Sequence, residues 1–319
     1  RECFMASTKS LTIVVGAGAS TDFNLPVGSE LKKKISSLLD IRFEHGIRQK
    51  TGDYLIMEAI RLKANNTSHG ANDYLHAGWQ IRDALPLAPS IDQYINTQRG
   101  NELIETCGKL AIVRAILDAE RNSALHIDHR SGAENFNIAN TANTWIGCLL
   151  RMIVDGCVAE ELDDRFRSIT LIVFNYDRCI EHYLYHALQI YYKVPKQRAA
   201  ELVSRIRVLH PYGSVGELPW QNSSHHVGYG AEPNPHQLVE LASQIKTFTE
   251  GTNPNDSDMV QIRAALSMAP RVLFLGFAFH PLNLELIRPH SELFEHSGAP
   301  ENRRIFATAI GLSKYDCDQ

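Results

Sequence analysis

Apolar positions along the chain fall into two regimes. Two short runs, 11–15 and 169–174, are continuously apolar or β-branched and predict strands buried on both faces, as in a parallel sheet. Three more short stretches, 205–209, 271–275 and 303–309, start on arginine but carry apolar residues to their ends or centres and predict three further strands. Between the first and second runs the pattern changes. Leu31, Ile35, Leu38 and Leu39 recur at helical spacing behind Ser29, a candidate N-cap, and predict a helix over 29–39. Helical periodicity continues over 53–62, from Ser90 to Ile95, over 101–125 and over 145–158. The stretch 130–143 is polar and glycine-containing and predicts a loop. From about 41 to 165 there is thus helix and no clear strand.

After the second strand, 178–190 predicts an amphipathic helix, and helices are also predicted at 257–268 and from Pro281 to Ile287. Residues 212–236, rich in Gly, Pro, His and Asn, predict a long loop or lid. The expected fold is α/β. A Rossmann-like parallel sheet, from 11–40 and 166–319, has helices on both faces, with a helical insert or subdomain at roughly 41–165. The whole, 1–319, is expected to be a single domain.

Each predicted strand ends in a small or polar residue, and open parallel sheets bind ligands outside the carboxyl ends of their strands. The first ends in Gly16-Ala17-Gly18-Ala19-Ser20, a turn small enough for backbone N–H groups to approach a pyrophosphate. Thr21 stands where the dinucleotide fingerprint has its third glycine, so the match is partial. A ligand-free small-residue turn is the alternative. The other ends bring Asn175 and Asp177, His210, and Gly276.

A carboxamide, an imidazole and a phosphate-binding turn suit cleavage of the nicotinamide–ribose bond of NAD. Its transition state resembles an oxocarbenium ion and its leaving group is neutral. Asn175 can orient water or sugar beside the anomeric carbon without a full charge. His210 can act as general base, and Asp177 can orient the ribose. Each has a purely structural alternative: Asn175 as a turn residue, Asp177 as a helix N-cap, His210 as a packed loop histidine.

Composition narrows the classes. With 319 residues, 44% hydrophobic and 21% charged, and a net charge of −4, the chain offers no polyanion-binding surface, so no direct nucleic-acid binding is expected. No apolar run approaches the roughly 20 residues of a membrane span, so no membrane association is expected. Cys3, Cys107, Cys148, Cys157, Cys179 and Cys317 are scattered singly, which fits a reducing cytoplasm and predicts no zinc ribbon. His182 and His186 have helical ligand spacing, but no Glu follows His182 as a zinc protease motif requires, so no metal site is expected.

Taken in order, several segments resemble the sirtuin-like (silent information regulator) fold family. They are Gly16-Ala17-Gly18-Ala19-Ser20, Leu25-Pro26-Val27-Gly28, Phe174-Asn175-Tyr176-Asp177, His210 with Gly213-Ser214, and Gly276-Phe277-Ala278-Phe279. The closer likeness is to the bacterial NAD-cleaving sirtuin-like domains of antiphage defence systems. Ser90-Ile91-Asp92 and the 308–313 segment share that likeness.

The resemblance implies NAD+ as substrate rather than as a permanently bound cofactor, with Asn175 and His210 as the catalytic pair. It places Gly16, Ala17, Ser20 and Asn283 near the dinucleotide. Gly18, Asp177, Ser214 and Gly276 complete the candidate binding set. It further implies NAD depletion on infection, a homo-oligomer, and an operon-encoded partner such as a DNA-translocating ATPase, an Argonaute-like or a phage-sensing protein. The chain ends soon after the last strand, so an extra sensor domain is expected to be absent or cut off.

Three departures stand out. Asn24 replaces a common glycine and must tolerate positive φ. Pro211-Tyr212 separates His210 from Gly213-Ser214. His280 replaces a common acidic residue. The alternatives are an NAD-dependent protein deacylase, against which the missing Cys-x-x-Cys pairs argue, and a non-catalytic nucleotide-binding sensor or assembly module.

Overall fold

The computed structural model describes residues 10–309 apart from 47, 129–131, 133–134, 222, 252–256 and 289–301. Its centre is β1 (Leu11–Val15), flanked by four further parallel strands. Numbered along the chain with the hairpin β2 (Arg42–Glu44) and β3 (Arg48–Thr51), they are β4 (Ile169–Val173), β5 (Arg207–Leu209), β6 (Arg271–Leu275) and β7 (Arg304–Ala307). The spatial order is β5-β4-β1-β6-β7. Leu11 lies opposite Ile169, and Thr12 opposite both Thr170 and Val272. Counting only parallel strands, the order is third, second, first, fourth, fifth, the doubly wound arrangement of a Rossmann-like sheet. All five expected strands are present, within two residues at either end.

Side-chain alternation sorts the strand residues between two cores. Val14 and Ile172 face one; Ile13, Val15, Leu171 and Val173 face the other. The first core is closed by helices Gly28–Leu39, Tyr54–Ala64, Ala71–Ala84, Ile91–Thr97, Glu102–Arg121, Pro235–Ala242 and Ser257–Met268. The second is closed by Trp145–Val154, Leu162–Arg167, Cys179–Tyr192 and Lys196–Val203. The stretch 41–165 is therefore not one layer. It covers one face up to Arg121 and crosses to the other by Leu125, where Leu125, Ile127 and Phe136 join the second core.

Other expectations need correction. The strandless reading of 41–165 misses the β2–β3 hairpin. Its residues are mostly exposed and carry no apolar alternation, and His45 and Gly46 turn it with φ of 52° and 72°. The 130–143 loop contains a helical turn, Ile138–Thr141, capped by Asn137. Helix 28–39 starts at Gly28, with Val27 rather than Ser29 as its N-cap; the Val27 N–H donates to Glu30 Oε2 at 3.1 Å. Asp53, Ser90 and Asn101 do cap their helices, each accepting a backbone N–H three residues on. Among the described residues, no helix is long and apolar enough to cross a membrane. Cys3, Cys317 and 310–313 lie outside the described residues.

Candidate functional site

Three adjacent strands, β1, β4 and β5, deliver the predicted groups to one end of the sheet. β1 runs directly into a helical turn, Ala17–Ser20, then a 3-10 turn, Thr21–Phe23. Asn24 closes it at φ 64°, the left-handed conformation that its short polar side chain tolerates. This places Ser20, 6% exposed, under the end of β4.

There a buried chain of hydrogen bonds forms. Asn175 Nδ2 donates to Ser20 Oγ at 2.7 Å and to the Gly16 carbonyl at 3.2 Å. Ser20 Oγ in turn donates to Asp177 Oδ2 at 2.8 Å. The other oxygen of Asp177 accepts the Cys179 N–H at 3.1 Å, at the start of helix Cys179–Tyr192. Asp177 therefore ties the first N–H of that helix to Ser20, while the N-cap position itself is Arg178. Among the described residues none donates to Asn175 Oδ1. That oxygen is the part of the carboxamide left for a water or a sugar hydroxyl.

The glycine turn differs from the phosphate cradle expected of it. The Gly16 N–H donates to the Leu275 carbonyl at 2.9 Å, Gly18 to Gly276 at 3.1 Å, and Ala19 to Gly16 at 2.9 Å. These three N–H groups are engaged within the protein rather than presented to a ligand. Close packing accounts for the small residues: a Cβ on Gly16 would lie 2.6 Å from the Gly276 carbonyl oxygen, and Gly276 itself has φ 56°. Ala17 and Gly18 remain exposed at the sheet's end.

His210 follows β5. Its Nδ1 lies 3.1 Å from the Asn175 carbonyl and its Nε2 3.1 Å from Glu181 Oε1. A carbonyl only accepts, so Nδ1 carries a proton. The Nε2–Oε1 contact must hold one proton, since a bare Nε2 against a carboxylate would set lone pair against lone pair, and the charge around the ring decides that it sits on Nε2. Burial pulls the imidazole toward its neutral form. The Glu181 hydrogen bond and charge, the Asn175 carbonyl and the Asp177 charge outweigh it and hold His210 above the ordinary histidine range. The ring as it stands therefore has no free lone pair, and the base role expected for His210 requires loss of the Nε2 proton.

Pro211-Tyr212 turns tightly after His210, with the Gly213 N–H donating to the His210 carbonyl at 3.0 Å. Gly213, at φ 72°, passes so near Gln244 that a Cβ would meet its carbonyl oxygen at 1.9 Å. The turn lays Tyr212 against Phe174, ring centroids 5.9 Å apart, and its hydroxyl donates to Asn283 Oδ1 at 2.9 Å. Asn283 is thus tied to the site through Tyr212. Ser214 points its hydroxyl at the Gly216 carbonyl, 3.4 Å away. It lines a cleft of about 220 Å³ with His210, His225, Lys246 and Asp258, but none of Gly16, Ser20, Asn175 or Gly276 lines it.

Glu181, in the first turn of helix Cys179–Tyr192, was not among the residues expected at the site, because a charged side chain there reads as a solvated helix position. Sequence reasoning also missed the anchoring of the 212–236 segment. Arg178, 1% exposed, donates to Glu120 Oε1 at 3.1 Å and to the Val227 carbonyl at 2.6 Å, with Gly228 and Glu217 as further acceptors. Glu120, fully buried, also accepts the Gly230 N–H at 3.0 Å. Tyr176 donates to Asp92, whose carboxyl burial pushes up despite that bond.

No protein-family model, no curated protein and no solved structure matches this chain. Among the described residues no group of three or more His, Cys, Asp or Glu side chains is placed to hold a metal ion.

Proposed function

We propose that the protein is an NAD+ glycohydrolase. In this reading NAD+ and water give nicotinamide, ADP-ribose and one proton. The C1′–N bond to nicotinamide breaks, its electron pair leaves with the neutral base, and a water oxygen bonds C1′. The supporting observation is the Asn175–Ser20–Asp177 hydrogen-bond chain at the ends of β1 and β4, beside His210 on β5. A dinucleotide in a doubly wound fold lies across these strand ends. Asn175 Oδ1 can orient water or ribose there as an uncharged acceptor, and the nearby carboxylates favour the developing cationic sugar. Depletion of NAD in antiphage defence is the role that the sirtuin-like resemblance suggests.

A second reading, a nucleotide-binding module without turnover, is favoured by one observation: both ring nitrogens of His210 are engaged by protein groups. Incubation with NAD+, with and without the product of a neighbouring gene, separates the readings. Nicotinamide and ADP-ribose released without acyl-peptide support the hydrolase. Release only with acyl-peptide would indicate a deacylase. Binding without release would overturn the proposal in favour of the module.

A further inference from the structure

The His210 ring is held from both sides by one short segment, 175–181, that lies about thirty residues before it in the chain. The segment after β4 sets the Asn175 carbonyl against Nδ1, and the first turn of helix Cys179–Tyr192 sets Glu181 against Nε2. Glu181 is buried, and its second oxygen, Oε2, has no hydrogen-bond partner. A buried carboxylate with an orphaned oxygen is unfavourable unless a cation lies against it. The cation within reach is the His210 imidazolium. Other charged or titratable groups near the ring are Asp177 at the end of β4, and Glu217, His225, Lys246 and Asp258 along the adjoining cleft. Lys246 is itself paired with Asp258 at 2.7 Å.

We propose that Glu181 is the positioning residue of this site: it fixes the His210 ring in one orientation, with both nitrogens protonated, and thereby decides when the ring can serve as a base. The mechanistic consequence rests on the NAD-cleavage reading; the protonation of the ring does not. With Glu181 in place, His210 accepts a proton from water or a ribose hydroxyl only after Nε2 has released its own to solvent. The base-competent form, with Nε2 bare, is then reached at higher pH than an ordinary histidine would allow.

The test is a ring-nitrogen NMR titration of the full chain, with His210 assigned by comparison with His210→Gln. In the unsubstituted protein both ring nitrogens are expected to stay protonated above the ordinary histidine midpoint of ~6.5. In Glu181→Gln the midpoint should fall by roughly one pH unit. A ring that titrates at or below the ordinary histidine midpoint in the unsubstituted protein, or a midpoint unmoved by Glu181→Gln, overturns the proposal. Should Glu181→Gln not fold, the titration of the unsubstituted protein alone decides. Where NAD+ is cleaved, the acid limb of the kcat/KM profile should move down with the same substitution, with KM little changed, and Glu181→Asp should restore much of the original profile. Where NAD+ is not cleaved, the ring titration still gives its answer, so the two failures are distinct.

Discussion

A Cβ placed on Gly276 would fall 2.1 Å from the amide nitrogen of Ala19. The end of β6 therefore lies directly on the turn that follows β1, at the point where strand order reverses. Gly276→Ala should destabilise the protein by ~2–4 kcal/mol, combining a positive φ that alanine resists with a clash against backbone that cannot step aside. Chemical denaturation measures this. A stability within experimental error of the unsubstituted protein would show that the two segments separate without penalty.

Asn175→Ala removes the donor to Ser20 and Gly16 and the open carboxamide oxygen together. Stability should fall by about 1–2 kcal/mol, the scale of one or two buried hydrogen bonds. NAD cleavage should fall by about 10²-fold or more. Nicotinamide release against time, at a temperature where circular dichroism reports a folded variant, checks both. Turnover at the unsubstituted rate would remove Asn175 from the chemistry.

Glu120→Ala strands the Arg178 guanidinium among buried carbonyls. The expected loss is ~3–5 kcal/mol. Because Val227, Gly228 and Gly230 share this ion pair, limited proteolysis should cut first within 217–230. A variant that loses stability with that segment still protected would disprove the anchoring role.

Two histidines give opposite pH dependences. Burial, with the His186 charge and others, holds His182 well below the ordinary value, where it stacks 4.0 Å from Tyr229. A depressed histidine contributes stability above its unfolded value of ~6.5 and loses it as pH falls below that. His210 is shifted upward. Its contribution is complete below ~6.5 and is lost as pH rises through its raised folded value. His182→Gln should flatten the acid side of a stability–pH curve, and His210→Gln the alkaline side. The same side flattened by both would contradict these assignments.

Much of the sheet was legible because short apolar stretches announce strands: Leu11–Val15 is buried from Thr12 on, and Arg271–Leu275, with only Val272 buried, still matches its stretch residue for residue. Asn24 was legible too, since few side chains adopt left-handed backbone. Helix Ala71–Ala84 was not, because its buried face mixes Tyr74, Leu75, Ala77, Gly78 and Ile81, with few large apolar residues among them. In the site, Asn175, Asp177 and His210 could be read from strand ends. Glu181 and Glu120 could not, since a charged residue normally marks the surface. Their burial is explained only by partners that folding brings from 29 and 58 residues away. The engaged N–H groups of Gly16 and Gly18 were equally hidden, because their acceptors, Leu275 and Gly276, come from some 260 residues further along the chain.

The Arg178–Glu120 pair also has a consequence for how the molecule assembles. Arg178 begins the helix that carries Glu181, and Glu120 ends the long helix on the opposite face of the sheet. An intermediate in which only one of these helices had docked would hold a buried charge without its counter-ion. Such partial states are disfavoured, so both sides of the sheet and the segment around Val227 should acquire their final arrangement in a single cooperative event.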